Sequence, residues 1–261
     1  MVHSNNVTQL RILDFICQRC EALNLCPANI LSADERKKFS SATVHSERLD
    51  CGEHLFCPGD RLHNIYIIHS GSFKTYVTNA SGITQITGLY SQGDVLGFNS
   101  IGHTIENHGA VALESATVCK VSITEYKKIE TQYPALSWAF LKSMSREIML
   151  KQKMLFVLGK MNSEQKIAYF LIHISEVSGS QVSSPAVFNL FMKRSDIANY
   201  LGMAVETVSR VFTEFKNVGV ISVERRKVSI LDFDALYALC HSNDTETAVK
   251  HLLQRKRSVL T

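Results

Sequence analysis

At 261 residues, 45% apolar and 20% charged, the chain is long enough for one large or two small cores, and its composition excludes a fibrous or low-complexity protein. No apolar run reaches the roughly 18 residues of a membrane span, and the polar residues 1–9 lack a signal-peptide core, so a cytoplasmic protein with no membrane partner is expected. The net charge of +4 is uneven: residues 1–145 carry 12 basic and 13 acidic side chains, residues 146–261 carry 16 and 11, and the basic half points to a polyanion partner.

Three of the seven cysteines stand within ten residues, in Cys17-Gln-Arg-Cys20-Glu-Ala-Leu-Asn-Leu-Cys26. An odd cysteine count in a reducing compartment argues against a disulfide framework. Two thiols separated by two residues can chelate one centre, and a third on the same loop can close round it. Thiolate is the soft ligand that suits zinc or an iron–sulfur cluster. Zinc more often brings a second CxxC or an HxxxH, and neither occurs. The plainer alternative is three unlinked cysteines at an apolar helix start. Residues 36–43 read as a polar connection.

Residues 44–121 have β texture. Runs such as Ile65-Tyr-Ile-Ile68, Phe73-Lys-Thr-Tyr-Val77 and Ile83-Thr-Gln-Ile86 alternate with turns at Pro58-Gly59-Asp60, Ser70-Gly71-Ser72, Ala80-Ser81-Gly82 and Gln92-Gly93-Asp94. That rhythm predicts an antiparallel sandwich, jelly roll or barrel. In the last strand, 116–121, alternation puts Thr117, Cys119 and Val121 on one face and Val118 and Lys120 on the other. Lys120 favours solvent, so Cys119 is expected to point inward. Spacing leaves the fourth ligand open between Cys119, Cys51 and Cys57.

Pro134 opens a helix that runs to about Leu158. Leu141, Met144, Ile148, Lys151, Leu155 and Leu158 alternate at spacings of three and four, a heptad seam suited to pairing with a second copy. Lys151 interrupts the seam, and two such ammonium groups would repel unless they snorkel outward or meet Glu147. The alternative is a single helix packed on its own domain. A second helix begins at Asn162 or Ser163, with Ile167, Phe170, Leu171 and Ile174 inward. Residues 178–185 read as a flexible polar connection.

From Met192 to Phe215 the pattern is helix, turn, helix. Ser195 is expected to cap the first helix, which buries Ile197, Ala198 and Leu201, and Gly202 supplies the turn. The second helix starts near Val205 and buries Val208, Val211, Phe212 and Phe215. Glu206, Ser209 and Arg210 share its opposite face, where they can meet base edges in a major groove. Residues 220–231 alternate as two strands round a basic turn, a wing whose Arg225, Arg226 and Lys227 can touch phosphate.

A β-roll, a long helix and a winged helix-turn-helix in this order resemble the cyclic AMP receptor protein superfamily. The chain is most similar to its fumarate and nitrate reduction (FNR) branch. The resemblance rests on the C-x2-C-x5-C loop, Gln85-Ile-Thr-Gly88, Gly93-Asp-Val-Leu-Gly-Phe98 and Asn199-Tyr-Leu-Gly-Met-Ala-Val-Glu-Thr-Val-Ser-Arg210, and it covers about 17–238. It implies an α+β fold with a cysteine-rich segment at 1–43, a cyclic-nucleotide-binding-like β-roll at 44–133, a dimerisation helix at 134–160, a winged helix-turn-helix at 161–240 and a polar, basic tail at 241–261. It also implies a 4Fe–4S cluster on Cys17, Cys20, Cys26 and Cys119, homodimerisation, an operator with TTGAT-like half-sites read by Glu206, Ser209 and Arg210, and RNA polymerase as a partner through loops near Gly82 and 178–184.

Three departures stand out. Gly97-Phe-Asn and Ile105-Glu-Asn-His-Gly-Ala110 lack the arginine that cradles a cyclic phosphate, so no cyclic nucleotide is expected. Lys151 replaces an acidic residue of the dimer helix. Arg19 replaces an acidic residue between two ligands, where a cation should alter cluster potential. The expected function is an oxygen- or redox-responsive transcription regulator of anaerobic genes. A cluster-independent regulator with zinc-bound or redox-active thiols is the alternative. An enzyme is not expected, since no HExxH, nucleophile elbow or Walker loop occurs.

Overall fold

Turn chemistry and burial together explain the order of elements in the computed structural model, which describes residues 20–178 and 185–241. Cys17, Arg19, most of the 178–184 loop and the tail beyond 241 lie outside the described residues. After two short 3₁₀ turns, Leu23–Leu25 and Pro27–Ile30, helix α1 spans Ala33–Thr43. This corrects the expected connection over 36–43. Its signal is a reciprocal cap: Glu35 N–H donates to Ser32 Oγ (3.3 Å) and Ser32 N–H to Glu35 Oε2 (2.8 Å).

The strands β1 (Val44–Leu49), β2 (His54–Phe56), β3 (Asn64–Ser70), β4 (Phe73–Thr78), β5 (Thr84–Tyr90), β6 (Val95–Leu96), β7 (Gly109–Ala112) and β8 (Ala116–Ser122) follow. They form two antiparallel four-stranded sheets, ordered β1-β8-β3-β6 and β2-β7-β4-β5. Leu55, Phe56, Tyr66, Ile68, Phe73, Tyr90, Ala116 and Val118 fill the space between them. The outer face of the first sheet is covered as well. Ile65, Ile67, Val95 and Val121 pack there against Ala28, Leu31 and Phe39 and against Leu136 and Phe140 of a later helix. Burial on both faces explains the unbroken run Ile65-Tyr-Ile-Ile68.

It also inverts the expected facing of the last strand. Val118, fully buried, points between the sheets. Cys119 lies on the outer face, half-buried beneath the amino-terminal segment and helices. Lys120 is not simply solvated but pairs with Glu47 at 3.5 Å.

Helix α2 (Ile123–Gln132), which the sequence reading did not anticipate, precedes α3 (Pro134–Lys160), which opens at Pro134 as expected. In α4 (Ser163–Val177) the Asn162 and Gln165 side chains and backbone amides form a capping box. A further unanticipated strand, β9 (Ala186–Asn189), leads to α5 (Arg194–Leu201), α6 (Val205–Asn217), the hairpin β10 (Ile221–Glu224) and β11 (Lys227–Ile230), and α7 (Phe233–His241). The expected cap at Ser195 is corrected: α5 starts after Lys193, with no side-chain cap. Gly202 ends α5 in the left-handed region (φ 60°, ψ 48°), which costs glycine no Cβ clash. The β10-β11-β9 sheet, α4 to α7 and the end of α3 share one core, to which β5 contributes Ile86. Among the described residues no helix is long and apolar enough to cross a membrane.

His173 is buried in that core, stacked on Tyr169 with ring centroids 5.8 Å apart. Burial, then Lys153 and Arg146, push its pKa from 6.5 down to about 4. The unfolded chain therefore takes up the extra proton first as pH falls below 6.5, and stability drops until both states are protonated near pH 4. The His173→Phe variant should flatten this acid limb by up to about 3 kcal/mol relative to the parent, read by urea unfolding at a series of pH values.

Candidate metal centre and nucleic-acid interface

The thiol end is held by local backbone. Leu23 N–H donates to the Cys20 carbonyl (3.1 Å), closing the first 3₁₀ turn. Cys26 is extended (φ −79°, ψ 140°) and caps the second turn, its Sγ accepting from Ala28 N–H at 3.4 Å. Pro27 stands at the position where a missing N–H costs nothing. The loop meets the β5–β6 turn at Gly93, whose φ is +89° and whose absent Cβ would lie 2.5 Å from Leu25 Cβ. Ala28 and Leu31 then enter the apolar cluster containing Leu136 and Phe140 of α3. Cys26 and Cys119, distant in sequence, pack against that same cluster.

Cys20, Cys26 and Cys119 are all half-buried, and none of the described cysteines is in a disulfide. Among the described residues, no three His, Cys, Asp or Glu side chains gather closely enough to hold a metal ion. Cys17 is not among them. The chemistry of the donors still fits a cluster: two thiols on one apolar patch, one with an N–H aimed at sulfur, the kind of bond that tunes an iron–sulfur centre. The other candidates for fourth ligand engage different partners. Cys51 Sγ donates to the Leu113 carbonyl (3.1 Å), and Cys57 Sγ lies 3.4 Å from His54 Nδ1. Burial pushes the Cys240 thiol up to about 11.

The six residues expected as one seam on α3 occupy two environments. Leu141, Ile148 and Leu155, seven apart, are exposed, Leu155 by 71%, with Trp138, Met149 and Phe156 beside them. Met144, Lys151 and Leu158 are half-buried against their own chain. Lys151 meets Glu147, as the spacing allowed, at 3.6 Å. It also donates to the Thr87 carbonyl (2.6 Å) and Tyr90 Oη (3.3 Å), and Tyr90 Oη donates to Glu147. Gly88 makes the room, since a Cβ there would lie 2.7 Å from Lys151 Nζ. Burial lowers the Lys151 pKa, and Glu147 opposes that shift. Burial, then the Glu147 charge, push the Tyr90 hydroxyl well above its ordinary range. A cavity of about 90 Å³ beside this network touches Leu25, Asp94, Arg146, Lys151 and His173. Thiol loop, β-roll, α3 and α4 therefore meet at one place.

Helix α6 has the expected two faces. Val208, Val211, Phe212 and Phe215 are buried, while Glu206, Ser209 and Arg210 are exposed with Thr213. Ser209 Oγ donates to the Val205 carbonyl (3.0 Å), and Arg210 Nη2 lies 3.7 Å from Glu164 Oε1. Sequence reasoning missed Glu164, and it missed Arg194, whose guanidinium stacks 3.5 Å from the Phe212 ring centre. In the wing, Glu224 pairs with Lys227 round a turn in which Arg225 takes φ 55°. Arg225, Arg226 and Lys227 are all exposed, and Leu190 N–H holds the Arg226 carbonyl at 2.7 Å. Helix α6 and the wing thus offer exposed forked and single-point donors of the kind that bind base edges and phosphates.

Residues 46–133 match the family model of the cyclic nucleotide-binding domain, and residues 165–239 that of the Crp-like helix-turn-helix domain. The chain is 36% identical over 235 residues to the anaerobic regulatory protein of Haemophilus influenzae, covering 90% of this chain and 91% of that one. It is 34% identical over 223 residues to the fumarate and nitrate reduction regulatory protein of Escherichia coli, covering 85% and 89%. Among solved structures, FixK2 from Bradyrhizobium japonicum aligns with a TM-score of 0.69 at 20% identity, over 77% of this chain and 99% of that one. CLP, a c-di-GMP responsive global regulator from Xanthomonas campestris, aligns at 0.64 and 15% identity, over the same shares.

The Lys151 network is testable by a double-mutant cycle. Lys151→Met and Tyr90→Phe should each cost about 1–3 kcal/mol, and the double variant should fall short of their sum by about 0.5–3 kcal/mol. Urea unfolding of the four proteins measures both terms.

Proposed function

Because the chain belongs to the FNR family of transcription regulators, and is a DNA-binding regulator rather than an enzyme, we propose that it switches anaerobic genes according to oxygen through a 4Fe–4S cluster at its amino end. The observation that carries this reading is the packing of Cys26 and Cys119 on the apolar cluster that includes Leu136 and Phe140. Cys17, Cys20, Cys26 and Cys119 would hold the cluster, which supplies an oxygen-labile centre when bound. Ligation on both sides of the patch would stiffen the 3₁₀ turns, and with them the contacts of Ala28 and Leu31 on α3. Leu25 presses on Gly93, next to the Asp94 that borders the Lys151 cavity. Through these contacts the thiol loop biases the setting of α3.

The second copy pairs along the exposed Leu141, Ile148 and Leu155, with Met144 and Leu158 at the flank. Lys151, tied to β5, spares that face a like-charge repulsion. The dimer presents two α6 helices to neighbouring major grooves. Arg210 donates to guanine, Glu206 accepts from cytosine, Ser209 serves either way, and Arg225, Arg226 and Lys227 grip phosphate. RNA polymerase contacts fall to the loop at Gly82 and to 178–184, the latter mostly outside the described residues. A cyclic nucleotide is not the signal. The segment from Gly97 to Ala110 has no arginine or lysine, and its buried Glu106, which accepts from Ser100 Oγ at 2.5 Å, opposes a phosphate.

Protein purified without air should be coloured and contain iron, and Cys20→Ser and Cys119→Ser should each lose both. Iron content and absorbance unchanged by either substitution would overturn the ligand set. If metal analysis instead returns zinc, the cysteines belong to a cluster-independent regulator. Arg210→Ala should weaken operator binding by about 1–3 kcal/mol and leave non-specific DNA binding nearly unchanged, measured by titration at one salt concentration. Ile148→Glu should sediment as a monomer under conditions in which the parent sediments as a dimer.

A further inference from the structure

The β-roll and the DNA-reading unit are joined at a point that the dimer and cluster reading does not use. Strand β5 is the last strand of its sheet, so one row of its backbone groups has no strand partner. Asn199, on α5, engages two groups of that row. Its Oδ1 accepts from Ile86 N–H at 2.6 Å, and its Nδ2 donates to the Thr84 carbonyl at 2.7 Å. The Asn199 carbonyl in turn accepts from Gln85 Nε2 at 2.5 Å. One helical turn earlier, Asp196 pairs with Lys74 of β4 at 2.8 Å, both side chains about one-fifth exposed. Ile86 itself is buried in the reader's core. The opposite face of α5 carries Ile197, Ala198 and Leu201 into the helix-turn-helix core. Helix α5 is therefore bonded to the sensor sheet on one side and packed on α6 on the other, while Glu206, Ser209 and Arg210 remain exposed.

We infer that Asn199 and Asp196 are positioning residues: they dock α5 on the edge of β5 and thereby set the angle at which each copy presents α6 to its half-site. The clamp does not cover the reading face, so it aligns the reader rather than blocks it. The amide suits 199 because it offers an acceptor and a donor on two separate atoms, one to an N–H and one to a C=O of the same strand edge. Aspartate has nearly the same shape but would set a carboxylate oxygen against the Thr84 carbonyl. In a dimer, a loosened clamp lets the two α6 helices vary in separation. Contacts within a single half-site do not change.

The test compares Asn199→Asp, Asp196→Lys, Lys74→Glu and the charge-swapped pair Lys74→Glu/Asp196→Lys in the full chain, purified without air. The probes are a palindrome of TTGAT-like half-sites, the same palindrome with its spacer changed by one or two base pairs, and a single half-site. Each single variant should bind the palindrome about tenfold more weakly, bind the single half-site as the parent does, and lose the parent's preference for one spacer length. The charge-swapped pair should recover both affinity and preference. An equal loss on palindrome and half-site, or an unchanged spacer profile, would overturn the inference. The palindrome arm rests on the proposal that two copies share one operator. A parent that does not prefer the palindrome to the half-site would defeat that proposal alone. Amide exchange at Ile86 then decides the clamp without DNA: exchange faster in Asn199→Ala than in the parent supports it, and equal rates refute it.

Discussion

The outer face of the β1-β8-β3-β6 sheet has to be covered, and that requirement organises the molecule. Ile65, Ile67, Val95 and Val121 on that face are all nearly or fully buried. Their cover comes from two places remote in sequence: Ala28, Leu31 and Phe39 near the amino end, and Leu136 and Phe140 at the start of α3. Burial of apolar surface is not directional, so each cover is held by the sheet and by the other. Half-buried thiols at Cys26 and Cys119 lie along the same contact. The amino-terminal segment and the start of α3 therefore share one apolar contact.

The far half of α3 is governed by charge instead. Lys151 is drawn from the helix surface to Thr87, Tyr90 and Glu147, where the missing side chain of Gly88 leaves it space. Solvation would ordinarily keep an ammonium group outside. Here a carbonyl, a hydroxyl and a carboxylate replace water. The helix is thus fastened to the β-roll by apolar packing at one end and by a polar network at the other, while Leu141, Ile148 and Leu155 stay exposed.

Local signals made much of this legible. Glycine turns divided the β-roll, Pro134 marked the start of α3, and the 3.6-residue period of 205–215 separated the buried from the exposed face of α6. What stayed hidden depended on neighbours far along the chain. The facing of Cys119 could not be read from alternation, because both faces of its sheet are covered. Met144 and Lys151 fit a seam by spacing, yet β5 claims Lys151. Helix α1 was legible in principle, since Ser32 and Glu35 stand at the spacing of a reciprocal cap, but its polar run masked it. The cap expected at Ser195 failed because Lys193 already ends the extended backbone. Asn199 was visible only as part of a family pattern, and its bonds to Thr84 and Ile86 span more than a hundred residues.

The edge of β5 has one more consequence, for the protein's solubility. An open strand edge is a template on which other chains can add strands, and proteins commonly guard such edges with charge, proline or a covering element. Here the guard is a side chain of the DNA-reading unit. A truncated product lacking that unit would expose Thr84 and Ile86 on a strand that also carries apolar Leu89 and Tyr90. The β-roll made by itself is therefore expected to self-associate through this edge more readily than the full chain, in which α5 lies against it.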